Sequence, residues 1–100
     1  MAKSSFKDLI SSEKPVLIDF YADWCGPCKT MSPIIQELKS ELGGKARILK
    51  IDVDRNPQLS GKLGVQSIPT IMLYQNGELK WRANGVQRLH TLKAQIEALL

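Results

Sequence analysis

The succession of apolar segments predicts an α/β fold with a mixed β-sheet and helices on both of its faces. Two apolar runs without alternation, Val16–Tyr21 and Ala46–Val53, are typical of strands that are buried on both faces. Between them, Pro27–Leu42 carries apolar residues at helical spacing, so these three elements predict a parallel, right-handed crossover. Further along, Asn76-Gly77 stands between two apolar runs and predicts a tight antiparallel hairpin.

Shorter elements complete a predicted order of α, β, α, β, α, β, β, α. Ser5 and Asp8 form a capping-box pattern in front of a short first helix. Because 100 residues suffice for one hydrophobic core, we expect a single domain, 1–100. The remaining predicted elements are a first helix over Phe6–Ser11, a third from Asp54-Arg55-Asn56-Pro57 to about Leu63, a loop over Val65–Pro69, hairpin strands over Thr70–Tyr74 and Glu78–Ala83, and a closing helix over Leu89–Leu99.

The composition, with 43% hydrophobic and 24% charged residues, is typical of a soluble globular protein. No apolar run reaches the length of a membrane span, and Met1–Asp8 contains no apolar signal-peptide core. We therefore expect a cytoplasmic protein without a membrane partner. The formal net charge is +4, but the Lys and Arg residues are scattered without interleaved aromatics, which argues against a nucleic-acid partner.

Both cysteines lie in the segment Trp24–Lys29, Trp-Cys-Gly-Pro-Cys-Lys, between a predicted buried strand and a predicted helix. In a cytoplasmic protein, a C-x-x-C pair in this position indicates redox catalysis. Pro27 suits the first turn of a helix, which places Cys25 at the N-terminus, where free N–H groups and the helix dipole favour a thiolate. We therefore expect Cys25 to be exposed with a lowered pKa, and Cys28 to be shielded one turn inside the helix.

Three other roles for the cysteine pair stay open at this point. A structural disulfide would constrain only a very short loop. A zinc site needs four ligands, whereas the chain has two cysteines and one distant histidine, His90. A buried pair without chemistry is the third alternative, and the surrounding Trp24, Gly26 and Pro27 argue against it.

The segment Trp24–Lys29 resembles the active site of thioredoxins, and the similarity extends over nearly the whole chain. It implies the thioredoxin fold, with one departure: thioredoxins usually begin with an additional strand, and too few residues precede the first helix here. We therefore expect a four-stranded sheet with the Ala46–Val53 strand at an edge, open to weak self-association. The implied activity is the reduction of disulfides in other proteins through a reversible Cys25–Cys28 disulfide, within cell redox homeostasis.

The resemblance also implies catalytic roles for Asp19 and Lys50 beside the cysteines. Asp19 interrupts a buried apolar run, and Lys50 on the neighbouring strand is its candidate partner; the alternative is that both side chains reach solvent. Cys28 has to lose a proton before it can resolve a mixed disulfide, and the matching family residues supply the base. Tyr21 stands where thioredoxins commonly carry tryptophan.

A second shared motif, Ile68-Pro69-Thr70, implies a cis proline that faces the cysteines. A cis bond there leaves the main chain of Ile68 free to pair with an extended substrate strand. For Val65, Ile68 and Gly85, core packing or turn geometry is the alternative role. The implied substrate groove consists of Trp24, Gly26, Pro27, Val65, Ile68, Pro69 and Gly85.

Partners follow from the same resemblance. The two cysteines carry the electrons, so no bound cofactor is expected, and thioredoxin reductase would return electrons from NADPH. We expect a monomer that acts on disulfide-containing proteins. An oxidase or isomerase is a second hypothesis, which the Gly26-Pro27 dipeptide and the lack of a secretion signal disfavour. A binding module within a larger assembly is the third.

Overall fold

The computed structural model describes residues 5–100, in which four strands and four α-helices follow the predicted order. Residues 1–4, which belong to the predicted domain and to the N-terminal segment discussed above, lie outside the described residues. Element ends differ from the predictions by a few residues, and a 3₁₀ turn, Gly43–Lys45, follows the second helix. The helices are α1 (Phe6–Ile10), α2 (Gly26–Leu42), α3 (Pro57–Lys62) and α4 (Leu89–Glu97), and the strands are β1 (Val16–Tyr21), β2 (Arg47–Asp52), β3 (Thr70–Gln75) and β4 (Glu78–Asn84).

The sheet has the strand order β2-β1-β3-β4. β1 pairs parallel with β2 and antiparallel with β3, and β3 pairs antiparallel with β4. The predicted mixed, four-stranded sheet is confirmed for the described part of the chain, and β2 lies at an edge as expected. Self-association through that edge stays a prediction.

The turn between β3 and β4 shows why the Asn-Gly signal is dependable. Asn76 and Gly77 have φ angles of 53° and 81°. Two consecutive residues with positive φ form the turn whose twist matches that of the flanking strands, and asparagine and glycine tolerate this conformation best. The turn of the hairpin therefore agrees with the local backbone preferences of its two residues.

Each face of the sheet has its own hydrophobic core, so the predicted helices on both faces are confirmed. On one face, α2 and α4 pack against β1 and β3, and their fully or almost fully buried residues include Met31, Ile35, Leu38, Leu92 and Ile96. On the other face, α1 and α3 cover Ile18, Phe20, Ile51 and Met72. Full burial of one such side chain contributes about 1.5–3 kcal/mol. These two cores hold the carboxyl end of β1 rigidly in the middle of the molecule.

Local signals define the helix ends as well. The predicted capping box is present: the Asp8 N–H donates to Ser5 Oγ at 3.2 Å, and the Ser5 N–H donates to Asp8 Oδ2 at 3.3 Å. Between residues 5 and 100, no helix combines the length and the apolar character that a membrane crossing requires.

Candidate functional site

The site lies at the carboxyl end of β1, where the chain leaves the central strand and enters α2. A third, small hydrophobic cluster is buried there, with Ala22, Cys25 and Cys28 at its centre. A disulfide joins the two cysteines, whose Cα atoms are 5.3 Å apart. Because both cores converge on this strand end, the pair has a fixed position at the rim of the sheet.

Cys25 is the N-cap residue of α2, as the position of Pro27 predicted. Its backbone is extended, with φ −86° and ψ 114°, and its sulfur accepts a hydrogen bond from the Cys28 N–H at 3.1 Å. An N–H group that points at the sulfur stabilises negative charge there, and the positive end of the helix dipole acts in the same direction. The geometry therefore favours Cys25 as thiolate once the disulfide is reduced.

The predicted exposure of Cys25 is wrong for this disulfide form. Cys25 is only 3% exposed and Cys28 4%, so both sulfurs are shielded. The reason is tertiary: the Cys25 sulfur lies 3.7 Å from the carbonyl oxygen of Ile68, and Ile68 packs against the cysteine cluster. The exposed surface belongs to the neighbours Trp24, which is 71% exposed, Gly26 and Pro27.

Asp19 is completely buried in the middle of β1, so its predicted burial is confirmed. Neither of its carboxylate oxygens has a hydrogen-bond partner among residues 5–100. Burial raises the pKa of Asp19 from 3.8 to about 6, and the positive charge of Lys50 partly opposes the shift. A carboxyl group whose pKa is close to the working pH is suited to accept and release a proton.

Lys50 lies directly opposite Asp19 in the β1–β2 register, but its side chain points elsewhere. Its ammonium is 4.4 Å from the centroid of the Tyr21 ring and donates to Ser32 Oγ at 3.4 Å. Lys50 is exposed on the edge strand. The alternative in which both charges reach solvent is therefore correct for Lys50 and wrong for Asp19, and the two interact through space.

A cleft of about 140 Å³ opens beside Cys28. Cys28 lines this cleft, although only 4% of its surface is exposed. Since Asp19 has no hydrogen bond to Cys28 within the described residues, a proton that passes between them requires a bridging water or a small side-chain movement. The cleft is lined by Tyr21, Ala22, Asp23, Cys28, Lys29, Ser32 and Lys50.

On the Cys25 side, the predicted cis bond between Ile68 and Pro69 is confirmed. Pro69 is buried, and its carbonyl accepts a hydrogen bond from the Gly85 N–H at 2.8 Å. Gly85 has a φ of 84°, a conformation that a residue with a Cβ rarely adopts. This turn fixes the position of the proline next to the disulfide.

The disulfide at a helix N-cap, beside a cis proline and a buried carboxylate, agrees with a comparison of the whole sequence. The thioredoxin family model matches residues 1–98. The chain belongs to the thioredoxin family. Protein-disulfide reduction by dithiol–disulfide exchange through the Cys25–Cys28 pair is therefore its activity.

Individual relatives agree with the family assignment. The thioredoxin of Rickettsia felis is 50% identical over 90 residues, which cover 89% of this chain and 86% of the relative. Thioredoxin 1 of Chlorobaculum tepidum is 43% identical over 90 residues, with 89% of each chain covered. A mutant thioredoxin from Halobacterium salinarum superposes with a TM-score of 0.86 at 38% identity, covering 98% of this chain and 85% of the other. The predicted thioredoxin fold is confirmed.

The other predicted substrate residues divide into two groups. Ile68 contacts the cysteine cluster and so adjoins the disulfide, whereas Gly85 contacts Pro69. Val65 is partly buried and packs against the core on the α1 and α3 face, which agrees with the alternative role in core packing. The roles of all these residues in substrate binding stay predictions.

Sequence reasoning missed Asp54. Its Oδ2 accepts a hydrogen bond of 2.8 Å from the Trp24 indole N–H, which orients the most exposed aromatic side chain at the site. Asp52 holds this loop, because its Oδ1 accepts from the N–H groups of Asp54 at 2.9 Å and Arg55 at 3.3 Å. The available signal was Asp52, an aspartate at the end of a buried strand, which is typical of an Asx turn.

Proposed function

We propose that this chain reduces disulfides in other cytoplasmic proteins by a two-step exchange in which Cys25 attacks and Cys28 resolves. The observation that carries this assignment of roles is the asymmetry around the disulfide. Cys25 occupies the helix N-cap and faces the Ile68 carbonyl, whereas Cys28 borders the cleft beside Lys50. The first position favours a nucleophile, and the second shares a cleft with Lys50, whose charge acts on Asp19.

In the first step, the Cys25 thiolate attacks one sulfur of a substrate disulfide. A bond forms between Cys25 and that sulfur, the substrate S–S bond breaks, and the second substrate sulfur leaves as a thiolate that takes a proton from solvent. The exposed residues Trp24, Gly26 and Pro27 flank the point of attack. An extended substrate strand pairs with the main chain of Ile68.

In the second step, Asp19 accepts the proton of Cys28, and the Cys28 thiolate attacks the Cys25 sulfur. The Cys25–Cys28 disulfide forms, the bond to the substrate breaks, and the substrate leaves with its second thiol. Two electrons have then passed from the cysteine pair to the substrate. The substrate sulfur that left in the first step has taken its proton from solvent, and the other takes the Cys28 proton back from Asp19. Lys50 tunes the step through its charge, which opposes the rise in the pKa of Asp19.

The resulting disulfide has to be reduced before the next cycle. We assign this reduction to a thioredoxin reductase that draws electrons from NADPH. The chain is then a carrier in electron transport. The chain acts as a monomer in the cytoplasm, without a nucleic-acid or membrane partner. The scattered distribution of its 14 Lys and Arg residues supports the proposal that no nucleic acid is a partner.

The experiment that tests the two-step mechanism is covalent capture with Cys28→Ser. In this variant, attack by Cys25 proceeds but resolution fails, because the intramolecular thiol with its high effective concentration is gone. Proteins from a cytoplasmic extract are expected to remain joined to Cys25 as mixed disulfides and to be released by an added dithiol.

Cys25→Ser is the matched control and is expected to capture nothing covalently. Equal recovery of partners with both serine variants, and no release by dithiol, would instead identify a binding module. If Cys28→Ser captures no protein through a disulfide, the two-step exchange is wrong.

A further inference from the structure

Arg82 in β4 makes two short hydrogen bonds to consecutive carbonyl groups. Its Nη1 donates to the Leu63 carbonyl at 2.6 Å, and its Nη2 donates to the Gly64 carbonyl at 2.7 Å. These carbonyls follow α3, at the helix end where carbonyl groups lack partners within the helix and the dipole favours a positive charge. The planar fork of a guanidinium matches two neighbouring acceptors, which a lysine ammonium cannot reproduce.

The two carbonyls immediately precede segment 65–68, which leads from α3 to Pro69. At its start, the Val65 N–H also donates to the Ser60 carbonyl at 2.9 Å. Through Arg82, the beginning of this segment is tied to β4.

The end of segment 65–68 is tied to β3, which pairs with β4 in the sheet. The Thr70 hydroxyl donates to the Ser67 carbonyl at 2.5 Å and lies 3.2 Å from the side-chain amide of Asn84. Thr70 is completely buried, so this hydroxyl has no access to water as a substitute. Arg82 and Asn84 are two residues apart in β4 and therefore lie on the same side of the strand. Two paired strands thus hold the two ends of a four-residue segment, β4 at its start through Arg82 and β3 at its end through Thr70.

We propose that Arg82 is a positioning residue for substrate binding, which holds segment 65–68 so that the Ile68 main chain meets an extended substrate strand beside Cys25. This inference rests on the proposed function, in which Ile68 pairs with the substrate. The Ile68 carbonyl lies 3.7 Å from the Cys25 sulfur, so a displacement of the segment by an ångström changes what a bound strand presents to that sulfur.

The exposure of Arg82 separates positioning from stability. Arg82 lies at the surface, and without it water can solvate the Leu63 and Gly64 carbonyls. Removal of the Arg82 side chain is therefore expected to loosen segment 65–68 more than it lowers the stability of the whole fold. When only a fraction of molecules holds the binding geometry, the apparent affinity falls by that fraction.

The test compares a protein disulfide with a small, neutral disulfide as oxidant of the reduced chain. Insulin supplies disulfides within an extended backbone, and 4,4′-dithiodipyridine has no backbone to pair. Each is mixed in excess with the reduced protein, the reaction is stopped with acid, and the remaining thiols are alkylated and counted by mass. For Arg82→Gln, the half-saturating insulin concentration is expected to rise by roughly three- to tenfold, with an unchanged maximal rate. Its rate with dithiodipyridine should equal that of the wild type.

Lys80→Gln is the charge-matched control, because Lys80 lies in the same strand and its ammonium contacts Glu78 at 3.0 Å rather than segment 65–68. It is expected to behave as the wild type with both oxidants. Arg82→Lys, which keeps the charge but cannot bind both carbonyls, should show most of the Arg82→Gln effect. If Arg82→Gln does not fold, Arg82→Lys carries the comparison.

Two failures can be told apart. A wild-type chain that reacts with neither oxidant would contradict the proposed function itself. The positioning role would be overturned if the wild type reacts with both oxidants and the Arg82 variants react equally more slowly with both, or no more slowly with either. The exchange mechanism would then remain intact.

Discussion

The two flanks of the Cys25–Cys28 disulfide are built on different physical grounds. The proton flank, which we define as Asp19, Lys50, Tyr21 and Ser32, places a completely buried carboxyl group in the central strand. The docking flank, segment 65–68 with Pro69 and Arg82, contains no buried charge and is held by hydrogen bonds to main-chain carbonyls. The proposed proton acceptor, Asp19, therefore lies inside the sheet, where its pKa depends on burial. The proposed substrate-binding segment lies at the surface, where hydrogen bonds set its position.

The two flanks also differ in what they cost the fold. A carboxyl pKa that rises from 3.8 to about 6 on folding destabilises the folded state at pH 7 by about 3 kcal/mol. The folded state binds more protons than the unfolded chain between these values, so this contribution to stability falls as the pH rises from about 4 to about 6. The docking flank carries no comparable penalty, because its polar groups are satisfied.

The largest expected effect comes from removing Asp19, the proposed base of the proton flank. Asp19→Asn should slow the second step of exchange at pH 7 by roughly 100-fold, the lower end of the range for a general base. The maximal rate with excess insulin, followed by thiol counting, measures this. Exposed Asp23, which lines the same cleft, provides the control Asp23→Asn with an expected wild-type rate. An unchanged rate in Asp19→Asn across pH 6–8 would show that Asp19 is not the proton acceptor.

The same substitution should stabilise the fold. Removal of the buried charge is expected to raise the free energy of unfolding at pH 7 by up to about 3 kcal/mol, less what the unpaired amide costs. Urea unfolding at several pH values is the measurement, and the gain should shrink toward pH 4, where Asp19 is protonated in the folded state. A gain that is independent of pH would mean that its origin is not the Asp19 charge.

A smaller change sharpens the description of the proton flank. Lys50→Met removes the charge that opposes the rise in the pKa of Asp19, so that pKa should rise further. The pH dependence of the second step should then shift to higher pH, with the protein still folded. Lys29→Met is the control, since Lys29 borders the same cleft. Equal shifts in the two variants would point to general electrostatics of the cleft instead of a specific Lys50 effect.

On the docking flank, Thr70→Val removes a buried hydroxyl and leaves the Ser67 carbonyl without its donor. The expected loss of stability is about 1–2 kcal/mol, because the volume of the side chain is unchanged and only the hydrogen bond is lost. Thermal or urea unfolding gives the value. Thr30→Val at an exposed position of α2 should change stability by less than about 0.5 kcal/mol.

The smallest predicted effect concerns Trp24. Asp54→Asn weakens the charge-assisted hydrogen bond to the indole N–H by about 1 kcal/mol, so the ring should become more mobile. Indole fluorescence anisotropy in a Trp81→Phe background isolates the Trp24 signal. The half-saturating insulin concentration should rise by a few-fold or less. An anisotropy that does not change would show that packing, not Asp54, orients the indole.

Sequence patterns were sufficient wherever the determining interactions are local. Non-alternating apolar runs identified β1 and β2, Asn76-Gly77 identified the hairpin, and Pro27 placed Cys25 at the helix N-cap. The burial of Asp19 followed from its place within an apolar run.

Features that depend on distant contacts could not be predicted in this way. Cys25 is shielded by Ile68, a residue 43 positions away in the sequence. Lys50 was expected beside Asp19, and the ring of Tyr21 gives its ammonium a different partner. Arg82 is an exposed residue of an edge strand, and no local pattern distinguishes it from Lys80. The role that we propose for Arg82 depends on the tertiary structure, in which the end of α3 lies beside β4.

A double-variant cycle of Asp19→Asn and Arg82→Gln tests the division of work between the two flanks most directly. With insulin as oxidant, Asp19→Asn should lower only the maximal rate and Arg82→Gln should raise only the half-saturating concentration. The double variant should show both changes at full size, so that the losses multiply within about twofold. A double variant that deviates from the product by much more, or a single variant that changes both parameters, would contradict the account by showing that proton transfer and docking are one coupled process.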